Sequence, residues 1–257
     1  MATDFSFARN LIDELDGWVN ELAAPLMPPR LINTGQGMSR LELRKHTPHT
    51  VMIGKCVRAA SGIRAALTLA DLGYVVECAA LLRDVSEFCT EIMAISSALN
   101  RKGELPRTVQ TFVEQYFAPI PKTPEELEAA DRARYVSREK LLKEVGGFLA
   151  ASANVDSKQS LPVLRFLNMI YDKYVHGAYE TTMELCDPDT SRFMMRGHLS
   201  PSKRQEFAEA VFLKLHEVVI AIEHTAAVTG QTEICEAVRN ARRTMDGSIA
   251  LPATKPR

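Results

Sequence analysis

The chain lacks most of the features that announce a function. It has five cysteines, Cys56, Cys78, Cys89, Cys186 and Cys235. The number is odd and none forms a CxxC pair, which excludes a zinc ribbon and argues against a disulfide framework. Four of them lie in apolar helical patterns, where free cysteine behaves as a small hydrophobe. A reducing compartment fits that usage. No stretch approaches ~18 uncharged apolar residues, so no membrane span is expected. The opening MATDFSFARN has no basic segment followed by an apolar one, so it does not read as a secretory signal. These absences together predict a cytoplasmic protein. The formal net charge is only −1, which excludes a polycation built for nucleic acid.

Strand signals are also missing. β-branched residues never alternate with polar ones over a useful length. There is no internal repeat and no low-complexity tract. What remains is an ordinary globular composition, 46% hydrophobic and 25% charged over 257 residues, with enough chain for a sizeable core.

Helical periodicity fills that space. Phe7, Leu11, Leu15 and Trp18 recur at steps of four and three, one apolar stripe of a first helix. The Met27-Pro28-Pro29 run ends it. Residues 29–49 are irregular and basic. Two long helices follow, over 50–71 and 74–98, and Gly73 between them predicts a helical hairpin. A shorter helix covers Leu105 to Phe117. Thr123, Pro124 and Glu126 give a helix start: cap, first-position proline and capping-box acid. Another helix runs from about Pro162 to His176. The longest clean pattern is 202–228, with Phe207, Val211, Leu215, Val218, Val219, Ile222 and Ala226 on one face. Ser202 and Gln205 can form its capping box. A last helix covers 231–245, and 246–257 reads as a flexible tail. The expected class is all-α, a bundle of long antiparallel helices forming one domain over 1–245, with its core at 50–228.

Charge is uneven along this bundle. Residues 30–64 carry Arg30, Arg40, Arg44, Lys45, Lys55, Arg58 and Arg64 against Glu42 alone. Residues 71–95 carry Arg83 against Asp71, Glu77, Asp84, Glu87 and Glu91. Adjacent helices would complement each other electrostatically. The alternative is a basic face for phosphate or RNA, although no interleaved aromatics support base stacking.

Two places could carry chemistry. In LLRDVSEFCTEI, the face formed by Leu81, Leu82, Val85, Phe88, Cys89 and Ile92 is apolar. The opposite face holds Val76, Ala80, Thr90 and Ala94 around Arg83 and Glu87, which lie four apart. A helix apolar on both sides is buried, so this ion pair should be too. In YDKYVHG, Asp172 lies four residues before His176 on one face, where a carboxylate can orient an imidazole. A structural account is equally at hand. Gly177 suits a left-handed helix end, and a histidine on the last turn meets the negative end of the dipole.

Arg83 and Glu87 on an early core helix, with a late apolar helix ending in Tyr171, Tyr174, Val175, His176 and Gly177, resemble poorly characterised bacterial families allied to HEPN-like helical bundles. The similarity spans roughly 50–228. It implies an all-α fold, often dimeric, frequent in toxin–antitoxin and anti-phage systems, and often a metal-independent ribonuclease. The family's signature is an arginine followed four to six residues later by histidine. Here the positions that should hold arginine before His176 are Met169, Ile170 and Tyr171. Arg165 is on the same face but about 16 Å along the axis. Only another helix, through a residue such as Arg83, could supply the charge. The spacings Arg192–His198, Arg40–His46 and Arg44–His49 fall in Gly- or Pro-punctuated segments and are counted as coincidence.

The resemblance implies an RNA- or nucleotide-directed protein. His176 would be the general acid/base, Asp172 its orienter and Arg83 the phosphate clamp, with Glu87 positioning Arg83. A homo-oligomer is expected, with no cofactor and no metal. The alternative is a non-catalytic helical interaction or regulatory module with a protein partner, whose polar residues fix helix packing. Other constellations fail. His216 and His224 point about 80° apart, and His224, opposite the apolar stripe, should be solvated. There is no HExxH, no di-iron ExxH pair, no phosphate loop after Gly35 and Gly37, and no nucleophile elbow.

Overall fold

The computed structural model describes residues 6–35, 38–101, 104–118, 123–126, 128, 136–153, 162, 169, 172–187, 191–195, 197 and 201–248. The elements in chain order are α1 (Ser6–Ala23), β1 (Arg30–Gly35), β2 (Met38–Glu42), α2 (Pro48–Leu72), α3 (Val75–Asn100), α4 (Arg107–Phe117), α5 (Arg138–Ala153), α6 (Tyr179–Met183), β3 (Cys186–Asp187), β4 (Arg192–Phe193), α7 (Pro201–Val228) and α8 (Thr232–Ser248). The class is all-α: long helices pack on one another, and two short hairpins are appended.

The hairpin of α2 and α3 is the centre. Thr47 caps α2, its hydroxyl accepting from the Thr50 N–H, and Pro48 occupies the first turn where no donor is needed. Gly73 ends α2 at φ 83°. Its N–H donates to Ala70 and the Tyr74 N–H to Leu69, the two bonds that close a left-handed cap. Gly230 ends α7 in the same way, with bonds to Ala227 and Ala226.

α7 lies across the inner face of this hairpin, and α1 and α8 pack around α7. The seven apolar residues on one face of α7, from Phe207 to Ala226, are all buried. They meet Cys56, Ala59, Ile63, Leu82, Val85, Cys89 and Ile92 in one continuous core. The thiols of Cys56 and Cys78 are pushed up to about 12 by burial, so they are small apolar residues here. On the opposite side of α3, Ala94 packs against Leu141 and Val145 of α5 in a second small core. The doubly apolar pattern of α3 therefore reflects cover on both sides.

Some sequence expectations change. The basic segment 29–49 is not irregular throughout: Arg30–Glu42 and Leu31–Leu41 pair across an antiparallel β1–β2 hairpin. Leu31 and Leu41, 70% and 68% exposed, sit directly opposite each other. Both faces of so short a ribbon meet water, so the alternation expected of a half-buried strand is absent. Helix α8 continues to Ser248, past the expected boundary at 245, and the rest of the expected tail, 249–257, lies outside the described residues. The start proposed at Thr123 is present, its hydroxyl accepting from the Glu126 N–H at 3.2 Å. Most of the helix expected over 162–176 lies outside the described residues, apart from its last turn. Of the coincidental Arg–His spacings, His198 also lies outside them.

The expected complement of α2 and α3 charges is met by one close pair, Lys55–Glu91 at 2.7 Å. Arg64 instead reaches Asp13 and Asp16 of α1, and Arg9 of α1 takes Asp71. No helix among the described residues is long and apolar enough to cross a membrane.

Candidate functional site

The outer stripe of α3 rises through Arg83, Glu87 and Glu91, each one turn from the next. Arg83 contacts Glu87 in an i,i+4 ion pair and donates from Nε to Asp172 Oδ1 at 2.9 Å. Arg138, at the start of α5, approaches the same Asp172 oxygen at 3.5 Å. Two guanidiniums thus share one carboxylate at the junction of three helical segments. The Arg83 side chain is 20% exposed and that of Asp172 39%, so the junction is half-buried with one side open to water.

Electrostatics follow from that placement. Burial lowers the Arg83 pKa, but the bonds to Asp172 and Glu87 outweigh it and hold it above its ordinary value. Arg138 is lowered, first by burial and then by the Arg83 charge beside it. One turn on, Glu91 is raised by burial, partly offset by Lys55. The Lys55 ammonium lies 5.0 Å from the Phe88 ring centroid, 5.4 Å from Tyr116 and 5.8 Å from Phe112. Three ring faces and one carboxylate therefore surround this ammonium.

His176 stands apart from the network. Its backbone N–H donates to the Asp172 carbonyl as the last helical bond. Gly177 follows at φ 60°, and the bonds Gly177 N–H to Tyr174 and Ala178 N–H to Lys173 complete a left-handed cap. The side chain is exposed. The Asp172 carboxylate that could have oriented the imidazole is turned to Arg83 and Arg138 instead. The structure therefore brings together Arg83, Glu87 and Asp172 and leaves His176 one turn away in water.

Arg138 was not singled out in the sequence. The signal was available, because a cation in the first turn of a helix opposes the dipole and needs a carboxylate to offset it. Lys214 was also missed. It is 5% exposed and bonds Ser86 Oγ at 3.2 Å and Glu217 Oε1 at 2.6 Å, linking α7 to the inner face of α3. Its position on the flank of the α7 stripe marks it as buried. His224, expected in solvent, is half-buried, with Nδ1 3.4 Å from Ser96 Oγ of α3, and burial lowers its pKa. The core of this bundle surrounds α7 on more than one side, so the face opposite its main stripe is covered too. Among the described residues no three His, Cys, Asp or Glu side chains converge to hold a metal.

No family model, no curated protein and no solved structure matches the chain.

Proposed function

We propose that this chain is a non-catalytic helical interaction or regulatory module, in which Arg83, Glu87 and Asp172 fix how three helical segments meet. The observation that supports this most is the saturation of Arg83. Its guanidinium already faces Glu87 and Asp172, and Arg138 shares Asp172. Two cations and two anions balance, so no preformed positive hole awaits a phosphate. A double-mutant cycle on Arg83→Met and Asp172→Leu tests it by chemical unfolding. A coupling of about 1 kcal/mol is expected, discounted for the open side of the pair. Additive effects would remove the proposal's basis. The five free cysteines fit a reducing, cytoplasmic setting.

A second reading keeps the HEPN-like resemblance: a protein acting on or binding RNA or a nucleotide, in a toxin or anti-phage role. One observation favours it. Arg83, from another helix, reaches Asp172, one turn before His176, and so brings a cation to a helix whose own positions 169–171 lack one. An exposed imidazole could then exchange a proton at a phosphodiester held by the displaced arginine. RNA cleavage by the purified chain, lost in His176→Ala, would establish this reading. Absence of both cleavage and nucleotide or RNA binding would eliminate it.

A further inference from the structure

α4 turns two unlike faces. Val109 and Val113 are buried in the main core, and the rings of Phe112 and Tyr116 close on Lys55. The opposite face carries Arg107, Thr108, Thr111, Glu114 and Gln115, at the spacing of one helical stripe. It lines an open groove of about 560 Å³, whose other wall is Val136 and Lys140 at the start of α5. That volume lies within the range of small-molecule sites, roughly 300–1,000 Å³. The Val136 N–H donates to Gln115 Oε1 at 3.0 Å and ties the two walls together.

The lining defines the ligand that fits. Among the described residues Arg107 and Lys140 pair with no carboxylate, and Glu114 pairs with no cation. Two unneutralised cations on opposite walls of one groove favour an anion between them. Glu114 lies seven residues after Arg107, about 10.5 Å along the axis. A carboxylate there accepts from hydroxyl groups and repels a second anion. The ligand is therefore anionic at one end and a hydrogen-bond donor at the other. No aromatic side chain lines the groove among the described residues, so a nucleobase has nothing to stack on. Glu114 also opposes a polyanionic backbone. A phosphate monoester of a small polyol has the required pair of ends.

The groove adjoins the junction at Asp172. Lys140 and Arg138 stand two apart on the first turn of α5 and leave it in different directions. Lys140 lines the groove, and Arg138 reaches Asp172 at 3.5 Å. A ligand that holds Lys140 steadies the turn that aims Arg138.

We infer that the α4–α5 groove is an effector site for a small phosphorylated polyol, with Arg107 and Lys140 on the phosphate and Glu114 on the hydroxyl groups, coupled through the start of α5 to the Arg138–Asp172 contact. The inference rests on the reading of the chain as a regulatory module and names the class of its ligand.

Isothermal titration calorimetry of the full chain with glucose-6-phosphate tests it. A Kd on the order of 100 μM is expected. Arg107→Gln and Lys140→Gln should each weaken binding about tenfold. Lys143→Gln removes an exposed cation outside the groove and should leave binding unchanged. Inorganic phosphate should bind at least about tenfold more weakly than the sugar phosphate. Glu114→Gln should weaken the sugar phosphate and spare inorganic phosphate. Arg138→Met, outside the groove, should weaken the sugar phosphate at least about threefold, because coupling is reciprocal. No heat at about 10 mM ligand would overturn the inference. So would an equal loss in Lys143→Gln, or inorganic phosphate binding as tightly as the sugar phosphate. Unchanged affinity in Arg138→Met would remove the coupling and with it the effector role. The Arg83–Asp172 coupling is measured without ligand. Intact coupling in a chain that binds no sugar phosphate sinks the groove and leaves the module standing. Additive effects in a chain that does bind it sink the module reading alone.

Discussion

On its inner face α3 presents Cys78, Leu82, Val85, Cys89 and Ile92 to the main core; along its outer stripe it presents Arg83, Glu87 and Glu91 to Asp172, Arg138 and Lys55. Both sides are covered, yet by different physics. The inner face gains from removing apolar surface from water, a term that scales with area and needs no direction. The outer stripe gains little net energy, because desolvating a charge offsets much of its attraction to a partner. What it supplies is geometry: a guanidinium accepts only a few arrangements of carboxylates. The main core thus holds the helices together, and the stripe fixes where the segment bearing Asp172 and the start of α5 meet α3.

The largest expected effect follows from the inner face. Leu82 is fully buried between α2 and α7. Leu82→Ala should cost about 2–5 kcal/mol. For a chain of this length that lowers the thermal midpoint by roughly 2–4 °C for each kcal/mol. Arg83→Met should cost distinctly less. Calorimetry or circular-dichroism melts of the two variants rank them, and a larger loss for Arg83→Met would reverse the assignment of roles to the two faces.

That ranking also explains what the sequence made legible. The stripes of α1, α2, α3 and α7 are written in apolar spacing, and Gly73 and Gly177 mark the ends that the structure caps. Arg83 and Glu87 stood out because they interrupt a second apolar stripe. The hairpin at Arg30–Glu42 was not legible, because Leu31 and Leu41 face solvent together and bury nothing that would impose a period. Nor could spacing along one helix reveal where Asp172 points. Its i,i+4 neighbour His176 and the distant Arg83 and Arg138 compete for one carboxylate, and permanently charged guanidiniums prevail over an imidazole in water.

A smaller effect sharpens the comparison at the far end of α3, where His224 meets Ser96 on the inner side. Burial lowers the His224 pKa below its ordinary 6.5; Glu223 beside it opposes the shift and Arg242 adds to it. The folded state therefore favours the neutral ring. Its contribution to stability is present above the unfolded value and is lost as pH falls through the folded one. Urea midpoints of wild type should decline from pH 7.5 to pH 5.5 more steeply than those of His224→Gln. Parallel declines would place the acid sensitivity elsewhere.

The smallest expected effect belongs to His176. Its ring is exposed and its backbone bond to Asp172 survives any substitution that keeps the helix. His176→Ala should change stability by no more than about 0.5 kcal/mol, as expected of an exposed side chain away from any buried contact. Gly177→Ala, one residue on, forces a side chain into the left-handed region at φ 60° and should cost about 1–2 kcal/mol. The pair separates two roles that adjoin in sequence. Glycine ends the helix, and histidine is free of that duty. A silent His176→Ala would mean that any selective pressure on this ring comes from what it meets outside the chain, and it would direct RNA and nucleotide assays to this residue before any other. A loss comparable to that of Gly177→Ala would instead make the imidazole part of the helix end and remove the last reason to assign it chemistry.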